Sequence, residues 1–244
     1  MNNLSYQIMD ASPVTVIVVM SSMLVTPFYL LATYVFSGDS PRAGARKGAI
    51  MASLFVAWGA VMIWFCLAGV PGRLGPLGNL VVPVCWLTPS LVLLVFRDWA
   101  LAEPLSQRWL VGLQVWRVIG GVFLIEFARG NLPGAFAYPA GIGDILVGLL
   151  AIVALVKARG GAPGPTMIRA VLILGMLDFA GAFFFGITSS EGPVRLFEHD
   201  ARSTVLTFPV GMIPLFLVPY AIFFHTLSWL TLRRSLRGGT AEQS

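Results

Sequence analysis

The chain has 244 residues, of which 57% are hydrophobic and 11% charged, and its mean hydropathy is +0.84. Soluble domains carry about 25% charged residues to cover their surface, so this composition excludes a water-soluble globular protein. The net charge of +5 would raise nucleic acid as a partner, but the basic residues read as a topology signal once they are placed along the chain.

A membrane-spanning helix needs about 20 predominantly apolar residues. Seven stretches approach or exceed that, at 14–36, 49–70, 77–96, 109–128, 141–157, 166–188 and 205–232. The expected fold is all-α: a polytopic integral membrane protein, one bundle of seven transmembrane helices over residues 1–244, with 233–244 as a short basic cytoplasmic tail. The first stretch has no basic residues before it and is too long for the apolar core of a signal peptide, so it reads as a span. The loop at 37–48 (SGDSPRAGARKG) reads as a solvated turn. Cys66 and Cys85 fall inside the second and third spans and read as buried thiols. The third span contains Pro83 and Pro89, and a tight turn at 71–76 makes it the antiparallel neighbour of the second. Trp99 and Trp109 flank the next loop, as in an interfacial aromatic belt.

The fourth span carries Gln114 and Arg117 inside apolar sequence, with Gly121 keeping the same face small. The loop that follows, 129–143 (RGNLPGAFAYPAGIG), is rich in Gly and Pro and nearly free of charge. It reads either as a segment folded back over the mouth of the bundle or as a long, mildly apolar connection. The sixth span carries Asp178, next to Gly175, Gly181 and Ala182. The stripe Phe183–Phe185 beyond it reads as lipid-facing or core packing. In the connection at 189–204, Glu198, His199 and Asp200 point in divergent directions as consecutive residues, and no second cluster completes a tetrahedral metal set. The last span holds Pro209, Pro214 and Pro219, which should kink it and free carbonyls for neighbouring helices or a path, and then His225.

With the N-terminus outside, eleven Lys or Arg residues fall in inner segments against four in outer ones. That positive-inside bias sets an N-out, C-in orientation in what reads as a bacterial cytoplasmic (inner) membrane. The lipid bilayer is then the expected partner, and nucleic acid is not.

Arg117, Asp178 and His225 lie nine, nine and eight residues from Arg108, Arg169 and Arg233. At 1.5 Å per residue each is about 12–14 Å from its basic anchor, so the three share a level with Gln114 beside them. Charges in hydrocarbon are costly and usually paired or functional. One reading is an Arg117–Asp178 ion pair that fixes helix packing, supported by Gln114 and His225. The other is a polar path in which Asp178 and His225 exchange protons or hold a polar ligand. Glu126 and Asp144 read as an outer pair. Glu126 has a local partner in Arg129 at i+3, and Asp144 sits in the first turn of the fifth span, where the helix dipole favours a carboxylate. Alternatively the two acids form an outer mouth.

No cofactor is expected. Retinal needs a lysine in the last helix, and the only lysines are Lys47 and Lys157 at helix ends. A bis-histidine haem needs two in-membrane histidines, and only His225 qualifies. P-loop, H-E-x-x-H and G-x-S-x-G signatures are absent, and no catalytic residues are assigned. The leading expectation is a small polar-solute or proton-coupled transporter or channel. The alternative is a non-catalytic subunit or scaffold of a membrane complex that binds lipid or pigment. A third class, an intramembrane enzyme acting on lipid, would use His225 and Asp178 as acid and base.

Overall fold

A computed structural model of the chain describes residues 8–38, 40–74, 78–190, 194–197 and 204–241. Among these residues the regular secondary structure is helical, joined by turns and irregular connections, with a single isolated bridge between Ile8 and Phe208. Glu198, His199 and Asp200 lie outside the described residues.

Helix α1 (Pro13–Val35) starts where Ser12 accepts a hydrogen bond from the Val14 N–H and Pro13 supplies the first helical residue, a sequence pairing suited to a helix start. Pro27 lies inside it and cannot donate to the Met23 carbonyl; the Thr26 hydroxyl donates to that carbonyl instead, at 3.2 Å. Helix α2 (Pro41–Leu67) begins eight residues earlier than the apolar pattern predicts. Ser40 and Pro41 form a cap and first turn, so the basic segment up to Lys47 is helix rather than solvated loop. Gly44 and Gly48 face the backbone of Tyr34 and Leu31, which lets α1 and α2 pack as a close hairpin.

After the short α3 (Val70–Arg73) come α4 (Gly78–Val95) and the short α5 (Arg97–Ala100). The segment expected as the fourth span is composite: α6 (Gln107–Gly112), a 3₁₀ stretch over Leu113–Gly121, and α7 (Val122–Ala128). Helix α8 is Gly134–Lys157 and α9 is Pro165–Thr188. The last span opens with a π-helical turn, Ile213–Leu217, and continues as α10 (Val218–Ala241). The segment expected as a basic tail is thus, as far as Ala241, a continuation of that helix.

Six of these helical segments are long and apolar enough to cross a bilayer, which points to a multi-pass integral membrane protein. The apolar stretch of α4, Leu80–Val95, is shorter. The last span is the hub, with 78% of its most apolar window buried against 22% for α9. Its prolines leave carbonyls that tryptophans satisfy. Pro219 has no N–H for the Pro214 or Leu215 carbonyls, and the indole N–H groups of Trp86 and Trp58 donate to these at 2.8 and 3.2 Å.

Contacts sort the connections into two ends. At one end Lys47 pairs with Glu103 at 3.1 Å, Arg108 donates to the Gly160 carbonyl, and Arg234 reaches Leu101 and Asp98. At the other, Met9 N–H donates to the Phe208 carbonyl at 2.8 Å and Thr204 donates to the Asn131 carbonyl at 2.7 Å. We call these the basic end and the N-terminal end.

Candidate functional site: a buried Arg117–Asp144–Asp178 cluster

The Leu113–Gly121 stretch positions the site. A 3₁₀ helix has three residues per turn, so side chains at i and i+3 eclipse. Gln114, Arg117 and Gly120 therefore line one edge, and all three are buried. Sequence reasoning on an α-helical wheel chose Gly121 as the small residue on this face. The tighter winding gives that place to Gly120, and Gly121 meets only the tip of Ile145.

Arg117 is fully buried, and every edge of its guanidinium is used. Nε donates to Asp144 Oδ1 at 2.8 Å, one terminal nitrogen donates to Asp178 Oδ2, and the other donates to the Gly175 carbonyl at 3.3 Å. The plane lies 3.8 Å from the centre of the Phe179 ring, a cation–π contact. A lysine, with its single compact charge, could not hold two carboxylates and a carbonyl in this fork.

Three glycines clear the space. A Cβ on Gly120 would overlap Asp144, one on Gly143 would overlap the Asp178 carboxylate, and one on Gly175 would overlap His225 and Arg117. Close approach of backbone to side chain at these three positions brings charges from the fourth span, α8 and α9 into one cluster.

The structure thus pairs Arg117 with Asp178, and it moves Asp144. Asp144 is not in a first turn, because α8 begins at Gly134 rather than 141. The Gly/Pro-rich segment expected as loop is helix from Gly134 onward, with Pro133 at its cap and Pro139 inside it. Ten residues of helix carry Asp144 about 15 Å into the bundle, to the level of Arg117.

Glu126 is also fully buried, and it does not share a mouth with Asp144. Its carboxylate accepts from the Ser12 N–H at 2.8 Å and from Asn131 Nδ2 at 2.7 Å, with Arg129 Nε farther off at 3.9 Å. It anchors the start of α1, a structural task.

His225 is buried, and its Nδ1 lies 3.0 Å from the Ala221 carbonyl. Because a carbonyl accepts, Nδ1 carries the proton in that contact. Nε2 faces Gly175 and lies close to the Val171 backbone, short of hydrogen-bond geometry. The carboxylate of Asp178 is held by Arg117, so His225 borders the cluster without bonding to the acid that sequence reasoning gave it. Gln114 is 1% exposed with neither amide atom paired.

One guanidinium faces two carboxylates, so the cluster is formally anionic when both acids are ionised. Asp144 and Asp178 line a cavity of about 50 Å³. Its walls include the rings of Trp86, Phe123, Phe136, Phe179 and Phe183, and it extends to Gly186, Val205 and Leu206. The partners sequence reasoning missed are Asp144, Gly120, Gly143 and Phe179. Only the glycines left a signal, as small residues within apolar spans.

No curated protein and no solved structure matches the chain. A family model described as Domain of unknown function (DUF8737) matches residues 76–233, a stretch that contains Gln114, Arg117, Glu126, Asp144, Asp178 and His225. That match covers more than half of the sequence, and the chain belongs to the DUF8737 family.

Proposed function

We propose that the protein is a seven-helix, N-out and C-in transporter or channel of a cytoplasmic membrane of bacterial type, and that it moves protons, alone or with a small polar solute. The observation that carries this reading is the pairing of two carboxylates with a single buried guanidinium at the floor of a cavity. In a low-dielectric interior an unmatched carboxylate is strongly disfavoured, and a proton is the smallest partner that removes the charge. Gain and loss of that proton at Asp144 or Asp178 would change which acid Arg117 holds most tightly. Such a switch between two bonded arrangements is what coupling to transport requires. The α4 helix supplies the seventh span in this reading, and the basic end faces the cytoplasm, in keeping with the positive-inside bias.

The test is proton flux in proteoliposomes that trap a pH-sensitive dye, driven by a potassium gradient with valinomycin. The wild-type chain is expected to acidify the lumen faster than empty vesicles, and Asp178→Asn to remove the difference while the protein keeps its helical spectrum. Wild-type flux equal to that of empty vesicles, with stable co-purification of a second membrane protein, would favour the subunit reading instead.

A further inference from the structure

We infer that the Arg117 cluster is hydrated from the basic end of the bundle, along a ladder of polar side chains shared by the Gln107–Gly121 segment and α10. The role of that ladder as a proton route rests on the function proposed above; the hydration itself does not.

The ladder starts in a vestibule of about 540 Å³ at the basic end, whose lining includes Glu103, Ser106, Gln107, Thr231, Arg234 and Ser235. Gln107 and Ser228 form the first rung. The Ser228 hydroxyl donates to Gln107 Oε1 at 2.6 Å, and Gln107 Nε2 returns a bond to the Ser228 carbonyl at 2.8 Å. The two segments run antiparallel, so the next polar residues inward are His225, three residues from Ser228, and Gln114, seven residues from Gln107 and beyond the buried Leu110 and Val111. Then comes Arg117, which shares Gly175 with His225.

The second rung is chemically incomplete. Gln114 is 1% exposed and His225 4%, yet Gln114 Oε1 and Nε2 make no hydrogen bond with protein, and His225 Nε2 lies near the Val171 backbone but short of hydrogen-bond geometry. Thr231 Oγ1, at the vestibule, is unpaired as well. Buried polar atoms without a partner are rare in folded proteins, and ordered water is their usual partner. Gln114 lies about 6 Å below Arg117 by the rise of a 3₁₀ helix, and His225 about 4.5 Å above Ser228 by that of an α-helix. In the inferred ladder, one or two waters would bridge each of these intervals.

A ladder of neutral groups that ends on a fixed guanidinium admits water and relays protons. The groups facing His225 are Arg117 and Phe179, with the carboxylates of Asp144 and Asp178 on the far side of the guanidinium.

The test is hydroxyl-radical footprinting of the full-length protein in phosphatidylcholine–phosphatidylglycerol nanodiscs, with oxidation read residue by residue in H₂¹⁸O. His225 is expected to be labelled roughly tenfold faster than Phe224, its buried neighbour, because bound water supplies the radical on the spot. Gln114→Leu should bring His225 down to the Phe224 rate and reduce proteoliposome proton flux about tenfold by displacing that water. Wild-type labelling of His225 no faster than Phe224 overturns the inference whatever the flux. Fast labelling with no wild-type proton flux leaves the hydrated ladder standing and defeats the transport reading alone.

Discussion

The carboxylate of Asp178 on α9 occupies the space in which a side chain on Gly143 of α8 would begin. Gly143 is thereby as much a part of the cluster as the charges are, because it sets how near α9 can bring its acid to Arg117. Gly143→Ala is expected to push Asp178 off the guanidinium and to lower stability by about 3–5 kcal/mol, the cost of breaking a buried pair. Gly181→Ala on α9, where nothing lies within 4 Å of the new methyl, should be neutral or stabilising by up to about 1 kcal/mol. Thermal unfolding in detergent, with both variants side by side, separates a local clash from a general intolerance of helix substitution.

Arg117→Met should be among the most damaging single changes, because it leaves two carboxylates facing each other without a counter-charge. Its expected cost is about 3–5 kcal/mol. Adding Asp144→Asn and Asp178→Asn removes the charges that Arg117 balanced, so the triple variant should recover most of the folded yield while remaining inactive in flux. A triple variant no better folded than Arg117→Met would mean that Arg117 acts through packing on Phe179 rather than through charge.

Glu126→Leu removes the acceptor for the Ser12 N–H and for Asn131. Asn131 keeps the Asp10 carbonyl, but the Ser12 N–H is left buried and unpaired, which is expected to cost about 1–3 kcal/mol and to loosen the N-terminal end of α1. Proton flux per folded molecule should persist, since Glu126 is not part of the Arg117 cluster. Hydrogen exchange at the first turn of α1 reads the effect directly.

Trp58→Phe should cost about 1–3 kcal/mol, because it orphans the Leu215 carbonyl that Pro219 cannot serve. Pro219→Ala restores a backbone donor there. In that background Trp58→Phe is expected to cost markedly less, a non-additivity that a double-mutant cycle on melting temperatures would reveal.

The pairing of Arg117 with Asp178 was legible because it depends only on depth, and depth follows from counting residues between a basic anchor and a buried charge. The place of Asp144 depends on where α8 begins, and that could not be read. Residues 134–143 carry the Gly and Pro that usually mark a loop, yet in a bilayer an irregular segment leaves backbone groups unpaired, and helix is the remedy. The same limit hid the role of Gly120. A wheel drawn at 100° per residue cannot anticipate a 3₁₀ stretch, whose 120° step moves the small face by one position. Glu126 was legible as an acid near a helix end, but not as a buried cap, since its partners Ser12 and Asn131 come from different parts of the chain.

The order of the cluster along the chain bears on how the protein is made. Arg117 precedes Asp144 by 27 residues and Asp178 by 61. A nascent helix with arginine near its centre partitions poorly into lipid, at a cost of about 2.5–3.5 kcal/mol. The Gln107–Ala128 segment therefore leaves the insertion machinery most favourably together with α8, as a hairpin whose first acid already neutralises the arginine. Gly120, which lets this segment come up against Asp144 of α8, thus governs assembly in the bilayer as well as the finished site.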